Sequence, residues 1–160
     1  MRKSLLTFLV LLLTAFAFVA INSQEASAQR RARANRNTKA EVDRIIKNVE
    51  ERVDRFVAQF NDTLDRSRLN GTEREDNLNE RARDLESATD ELRREFDRND
   101  SWAENKDEVR KCLNIASDID ATMRARRFST ATETNWANVR NELNTLARVY
   151  GLPRIGRSYR

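Results

Sequence analysis

The sequence has no histidine, and among its 160 residues there are only one cysteine, one proline and three glycines. Without histidine, the chain lacks the side chain that most often serves as a general base or metal ligand. A single cysteine, Cys112, excludes an internal disulfide, a thiolate metal cluster and a C-x-x-C redox pair. The scarcity of proline and glycine, together with the lack of strand-like alternation, favours an all-helical chain.

The acidic side chains form no pattern that is typical of catalysis. Almost all aspartates and glutamates fall on the polar faces of the predicted helices, and the Glu-x-x-His motif of di-metal bundles cannot occur without histidine. No glycine-rich phosphate loop is present. We therefore predict that the protein is not an enzyme, with no catalytic residue, no metal, no cofactor and no small-molecule substrate.

The N-terminal residues have the order of a secretory signal. Arg2 and Lys3 precede an apolar run from Leu5 to Ile21, and a small-residue cleavage pattern, Ala26-Ser27-Ala28, follows it. This order predicts a signal peptide over residues 1–28, export to the periplasm or the extracellular space, and a mature chain that starts near Gln29. An uncleaved anchor is the alternative, because the run approaches the length of a membrane span.

The positive charge is concentrated at the two ends of the mature chain. Residues 29–39 carry a net charge of +5 and residues 154–160 carry +3, whereas residues 40–153 carry 20 basic and 25 acidic side chains. We predict a disordered basic arm over residues 29–38 and a basic C-terminal tail over residues 153–160. The residues predicted to bind an anionic surface are Arg30, Arg31, Arg33, Arg36, Lys39, Arg154, Arg157 and Arg160.

The stretch from Val42 to Leu69 has the widest apolar seam of the chain. Its apolar residues recur in steps of four and three, the spacing of a helix or coiled coil that buries one face. Three further helices are separated by turn and cap signals. Asn70-Gly71 predicts the first stop, and S/T-x-x-E capping boxes are predicted at Thr72 with Glu75, Ser101 with Glu104, and Thr130 with Glu133.

These signals predict one domain over residues 39–152, an all-α, up-down-up-down four-helix bundle. The helices are expected near residues 39–69, 73–97, 102–126 and 131–150, with Gly151 closing the last. A long helical hairpin that completes its core as a homodimer is the alternative, because the second helix has few apolar residues. The side chains predicted to be largely buried are Phe56, Phe60, Leu85, Ile119, Trp136 and Leu143.

Cys112 and three aromatic residues admit a functional and a structural interpretation. Cys112 lies on an apolar seam, where an unpaired cysteine behaves as a small hydrophobic residue. Trp102, Trp136 and Tyr150 could form a ligand-stacking patch, but their seam spacing favours the core. We predict that Cys112 is buried and unreactive and that the aromatic residues pack inside the bundle.

A short pattern occurs twice, before the first and the third predicted capping box. Leu64, Arg68 and Leu69 match Met123, Arg127 and Phe128 in type and spacing. Two similar helical hairpins would produce this repeat, although shared heptads alone would also produce much of it.

Two passages carry a resemblance to other proteins. They are the run from Leu64 to Thr72 with Glu75-Asp76, and the motif Trp136-x-x-Val139-Arg140-x-Glu142-Leu143-Asn144-x-Leu146-Ala147-x-x-Tyr150. Both resemble a group of uncharacterised exported all-helical bacterial proteins, over roughly residues 42–152. The resemblance implies a bacterial, exported helical domain and brings no activity or site residue with it.

Two functions remain as hypotheses. The first is a non-enzymatic interaction or structural module of the periplasm or cell envelope, whose partner would be a protein or another envelope component. The alternative is an electrostatic binder of an anionic polymer or membrane surface, acting through the basic ends. Either could act as a monomer or a homodimer.

Overall fold

The computed structural model describes residues 37–67 and 69–156, and these form four α-helices. Helix α1 spans Lys39–Asp65, α2 spans Glu73–Arg98, α3 spans Lys106–Ala125 and α4 spans Thr130–Val149, while a 3-10 helix, Trp102–Asn105, precedes α3. Each helix packs against the next, and α4 packs against α1. The predicted all-α, up-down-up-down bundle is confirmed, and its core is completed within one chain.

The first helix begins as the sequence predicts but ends earlier. Thr38 caps it through a full capping box, because its Oγ1 accepts from Glu41 N–H at 3.2 Å while its own N–H donates to Glu41 Oε2 at 2.8 Å. The predicted end near residue 69 is wrong, since the helix ends at Asp65. Asn70 Nδ2 donates to Asp65 O at 2.6 Å, and Ser67 Oγ accepts from Leu69 N–H at 3.0 Å. Such local bonds offer the backbone an alternative to the helix.

Only part of the predicted capping pattern at Thr72 and Thr130 is present. Thr72 Oγ1 accepts from Glu75 N–H at 3.3 Å, but Glu75 Oε2 accepts from Gly71 N–H at 2.6 Å instead of closing the box on Thr72. The cap of α4 is Ser129 and not Thr130, because Ser129 Oγ accepts from Thr132 N–H at 3.2 Å. Helix α4 therefore starts one residue earlier than predicted, at Thr130.

The predicted cap at Ser101 is wrong. Ser101 makes no side-chain hydrogen bond to the helix start, and the chain forms the short 3-10 turn before α3 begins at Lys106. The turn is held from α4, because the Tyr150 hydroxyl donates to Trp102 O at 2.8 Å. A side-chain cap is not needed where a tertiary bond fixes the turn.

The core runs along the inner faces of all four helices. All six side chains that the sequence predicts to be buried are buried, and Phe56, Leu85 and Leu143 have no exposed surface. Phe56 stacks on Phe60, and the Phe56 ring also lies 5.1 Å from that of Trp136, which joins α1 to α4. Burial of side chains of this size typically stabilises a fold by about 1.5–3 kcal/mol each.

The end of α4 is closed by a Schellman motif. Gly151 adopts φ 63°, its N–H donates to Arg148 O, and Leu152 N–H donates to Ala147 O at 2.8 Å. Glycine accepts this left-handed conformation without the strain of a side chain. The predicted closure at Gly151 is confirmed.

None of the described helices is long and apolar enough to cross a membrane. The predicted signal peptide, with the apolar run from Leu5 to Ile21, lies outside the described residues, as do residues 29–36 of the predicted basic arm.

Candidate binding sites

Two of the eight predicted anion-binding residues lie within the described part of the chain. Lys39 Nζ donates to Asn99 O at 2.6 Å and lies 5.5 Å from the centre of the Phe96 ring, so its ammonium is already bound to the end of α2. Arg154 is exposed. The other six lie outside the described residues: Arg30, Arg31, Arg33, Arg36, Arg157 and Arg160.

The chain after α4 does not leave the bundle directly. Residues 152–156, which we call the C-terminal strap, turn back along α4, where Ile155 is buried. Ile155 N–H donates to Asn144 Oδ1 at 2.8 Å, and Asn144 Nδ2 donates back to Ile155 O at 3.4 Å. Because Asn144 lies six residues before Tyr150, the strap returns by roughly 9 Å along the helix. The start of the predicted tail is therefore held to α4 through Ile155.

A buried carboxylate lies between α3 and α4. Asp120 has no exposed surface, and its Oδ1 accepts from Trp136 Nε1 at 3.0 Å and from Arg140 Nη1 at 3.2 Å. Its Oδ2 lies 3.0 Å from Arg124 Nη2, an ion pair whose geometry falls short of a hydrogen bond. Buried carboxylates require such partners, because an unpaired charge in the interior is very costly.

Sequence reasoning missed Asp120, although a signal was present. The residue lies four positions after Ala116 and three before Met123, both of which are buried on α3. This spacing places Asp120 on the buried face of α3. A buried tryptophan such as Trp136 needs an acceptor for its indole N–H, and Asp120 is that acceptor. The carboxylate joins α3 to α4 and does not face solvent.

Cys112 is fully buried, as predicted. Burial raises the pKa of its thiol from 9.0 to about 12, because the charged thiolate would lose its hydration. The thiol is therefore protonated at neutral pH, and its unreactive role stays a prediction.

The aromatic residues proposed for a stacking patch instead pack within the fold. Tyr150 is buried and meets the half-buried Trp102 edge to face, with ring centres 5.3 Å apart. Trp136 contacts Phe56 near the other end of α4. Burial also raises the pKa of the Tyr150 phenol above its usual value. The core interpretation of these residues is confirmed.

Acidic residues line the outer contact between α1 and α2. Glu50 and Asp54 of α1 face Glu86 and Asp90 of α2, and we call these four residues the acidic ridge. Partial burial, followed by repulsion within the ridge, raises the pKa of Glu50, Asp54 and Glu86. Within residues 37–67 and 69–156, no group of three or more acidic or cysteine side chains is arranged to hold a metal ion.

A pocket of about 460 Å³ lies where the α1–α2 and α3–α4 connections meet, and we call it the loop-end pocket. Its apolar wall is formed by Leu64, Leu69 and Phe128. The rest of its lining comes from three hydroxyl-bearing residues and two arginines: Thr63, Ser67, Ser129, Arg126 and Arg127.

The pocket lies beside a polar contact between α1 and α4. Thr63 Oγ1 donates to Gln59 O at 2.9 Å and lies 3.0 Å from Thr132 Oγ1, which in turn lies 2.9 Å from Ser129 Oγ. Asn135 Nδ2 donates to Gln59 Oε1 one turn further along α4. These bonds fix the start of α4 against the end of α1.

Comparisons with protein-family models, with curated proteins and with solved structures each give no match to this chain. The proposed function therefore rests on the chain's own residues.

Proposed function

We propose that the protein is a non-enzymatic interaction module that is exported and acts in the periplasm or cell envelope. The observation that carries this proposal is the lining of the loop-end pocket, which among the described residues consists of arginines, hydroxyl-bearing residues and apolar residues, without a carboxylate. Arginine stays protonated at all physiological pH values and is suited to binding rather than to proton transfer. The carboxylate of Asp120 and the thiol of Cys112 are both buried in the core.

Export is supported by the sequence order of residues 1–28. The test is to express the full chain in a bacterial host, to separate the cytoplasmic, periplasmic and membrane fractions, and to determine the N-terminus of the product. A periplasmic product that begins near Gln29 is expected. A cytoplasmic product that retains Met1 would contradict export, and a membrane-bound product that retains residues 1–28 would favour the anchor.

Binding of an anionic polymer or membrane surface is the second candidate, because the chain's excess positive charge is confined to its ends. Arg154 is exposed and available, whereas Lys39 already donates to Asn99 O and is expected to contribute less than the arginines. Each basic residue near an anionic surface contributes on the order of 1 kcal/mol at low salt. Binding should weaken as salt rises, because exposed charges are screened.

The experiment compares the mature chain with a variant in which Arg30, Arg31, Arg33, Arg36, Arg154, Arg157 and Arg160 are all changed to glutamine. This variant keeps the Thr38 cap and the buried Ile155, so we expect the fold to be retained. Sedimentation with anionic and neutral liposomes, and with an acidic polysaccharide, is measured at low and physiological salt. Strong low-salt binding by the natural chain alone is expected. Equal binding by both chains, or by neither, would contradict the role of the basic ends.

A further inference from the structure

We propose that the loop-end pocket binds a small anionic amphiphile, in which a phosphate or carboxylate group is attached to a short hydrocarbon chain. The inference rests on the proposed role as a binding module and names a ligand class and a site for it. The site lies at the end of the bundle where α1 ends and α4 begins, apart from Lys39 and the strap.

The apolar wall suits a short hydrocarbon chain. Leu64 is fully buried, and Phe128 is half-buried with its ring 5.4 Å from that of Phe60, so the wall is continuous with the core. Small-ligand sites usually have volumes of roughly 300–1,000 Å³ and are lined mainly by apolar side chains with a few polar groups. The pocket's 460 Å³ lies within this range.

The charge of the pocket selects an anionic group. Among residues 37–67 and 69–156, none forms a salt bridge with Arg126 or Arg127, and none of those that line the pocket carries a carboxylate. Arg124, two residues earlier, is by contrast paired with Asp120. Guanidinium groups bind phosphate and carboxylate through paired, charge-assisted hydrogen bonds, so two of them beside an apolar wall match both parts of the ligand.

The start of α4 supports an anion at the same place. Ser129, which lines the pocket, is the cap of this 20-residue helix, and the positive end of a helix dipole favours negative charge. One carboxylate is already accommodated here, because Glu133 Oε1 accepts from Phe128 N–H at 3.3 Å. Glu133 also partly offsets the positive charge, so the two arginines must carry the binding.

The hydrogen bonds of the hydroxyl groups also indicate that the arginines are the main anion-binding groups. Since the Thr63 proton goes to Gln59 O, Thr132 must donate to Thr63, and Ser129 must then donate to Thr132. The protons of these three hydroxyls are thus used within the fold. Ser67 Oγ accepts from Leu69 N–H, an interaction that leaves its own O–H to donate. Arg126 and Arg127 are therefore the main anion-binding groups, with Ser67 in support.

The pocket is lined by residues from both copies of the repeated sequence pattern. Leu64 and Leu69 come from one copy, and Arg127 and Phe128 come from the other. The repeat therefore places matching apolar residues on opposite sides of one cavity.

The experiment titrates the intact mature chain, residues 29–160, with hexyl phosphate, hexanoate, hexanol and inorganic phosphate, using calorimetry and amide NMR. We expect hexyl phosphate or hexanoate to bind, hexanol and inorganic phosphate to bind at least about tenfold more weakly, and the amide signals of Leu69 and Phe128 to shift. The stronger of the two anionic probes identifies phosphate or carboxylate as the preferred group.

The variant Arg126→Gln/Arg127→Gln should bind the better probe about tenfold or more weakly, because it removes two charge-assisted contacts. The matched control is Arg83→Gln/Arg94→Gln, which removes the same charge from exposed positions on α2. If the pocket variant does not fold, as judged by circular dichroism, Arg126→Lys/Arg127→Lys keeps the charge and should still weaken binding by losing the paired geometry.

Any of four results would contradict the proposal that the loop-end pocket binds an anionic amphiphile. These are no binding of either anionic probe, equal binding of hexanol, equal weakening in the control variant, and unchanged amide signals of Leu69 and Phe128. None of these results bears on liposome binding through the basic ends. Failure of the pocket proposal can therefore be distinguished from failure of the proposed function, which the fractionation and liposome experiments test separately.

Discussion

Helix α2 carries a charge on 16 of its 26 residues, whereas α4 carries one on only four of its 20. Both helices bury a seam, but they are held to their neighbours in different ways. Ion pairs surround α2, in which Arg93 bridges Asp43 and Asp97 at 2.6 Å each and Glu91 meets Lys111 of α3 at 2.6 Å. Helix α4 meets α1 through uncharged polar side chains and aromatic packing.

This difference predicts which conditions each helix responds to. Contacts between exposed charges weaken with salt and change with pH, whereas apolar packing and neutral hydrogen bonds do so very little. The α2 side of the bundle should therefore be sensitive to salt and pH, and the contact of α4 with α1 should depend on the shape of its side chains. The following four predictions test this contrast.

Removing a core side chain from α4 should have the largest effect. Leu143 is fully buried, so Leu143→Ala should lower the free energy of unfolding by about 2–5 kcal/mol, through lost burial and the cavity left behind. Urea unfolding at low and high salt measures it, with the exposed Thr134→Ala as the control. A stability close to that of the natural chain would show that α4 does not pack as described, and a strong salt dependence of the loss would break the contrast.

Neutralising the buried carboxylate should have the next largest effect. Asp120→Asn keeps an acceptor for Trp136 Nε1 but removes the charge that pairs with Arg140 and Arg124. Both arginines are partly exposed and can be rehydrated, so we expect a loss of about 1–3 kcal/mol in the free energy of unfolding. Thermal unfolding with Trp136 fluorescence measures the change. An unaltered melting temperature would mean that the charge contributes nothing to the α3–α4 contact.

Breaking the central ion pair of α2 should cost less. Arg93→Gln removes one of the two cationic partners of Asp43 and leaves the other, Lys47, in place. We expect a loss of about 1 kcal/mol at neutral pH and low salt. The bond to Arg93 lowers the pKa of Asp43 below 3.8. The ion pair therefore stabilises the fold fully above pH 3.8, and this stabilisation is lost as the pH falls through the lowered pKa. The difference in unfolding free energy between the two chains should therefore shrink in acid. A difference that stays constant down to pH 2 would contradict this origin.

Relieving repulsion in the acidic ridge should stabilise the fold slightly. Asp54→Asn is expected to raise the free energy of unfolding by roughly 0.2–0.5 kcal/mol at neutral pH, a typical value for neighbouring like charges. Burial and then Asp90 raise the pKa of Asp54 above 3.8. Asp54 therefore does not destabilise the natural chain below pH 3.8, where it is protonated in both the folded and the unfolded state, and begins to do so as the pH rises through the raised pKa. The gain should vanish in acid, where Asp54 is protonated, and should shrink in high salt, which screens the repulsion but not the cost of burial. The exposed Asp62→Asn, whose partner Arg66 is also exposed, serves as the comparison and should show no gain.

Much of the fold could be predicted from the sequence, because helical periodicity reports directly on burial. The seams of all four helices and the six core residues followed from it. The helix ends were harder, since the turn after Asp65 depends on Asn70 bonding back to a carbonyl five residues away. The start of α3 depends on Tyr150, 48 residues along the chain. Local motifs do not contain contacts of this range.

The candidate site was less accessible from the sequence. The basic ends were visible as a charge pattern, but the loop-end pocket joins residues 63–69 to residues 126–129, which only the fold brings together. The repeated pattern at Leu69 and Phe128 was noticed, yet nothing in it indicated a cavity. The buried Ile155 was also missed, because one apolar residue among arginines resembles a solvated tail.

The pairing of α1 with α4 has a consequence for how the chain is made. Helix α1, which has the broadest apolar seam, is synthesised first but is covered by the helix that is synthesised last. Asn135 and Gln59, which meet across this contact, are 76 residues apart. At the usual rate of protein synthesis, roughly 5–20 residues per second, the α4-facing side of α1 stays uncovered for about 4–15 s until α4 is made. During those seconds the bundle has an open side of apolar residues, and a holding chaperone that occupies it would keep one nascent chain from sticking to another.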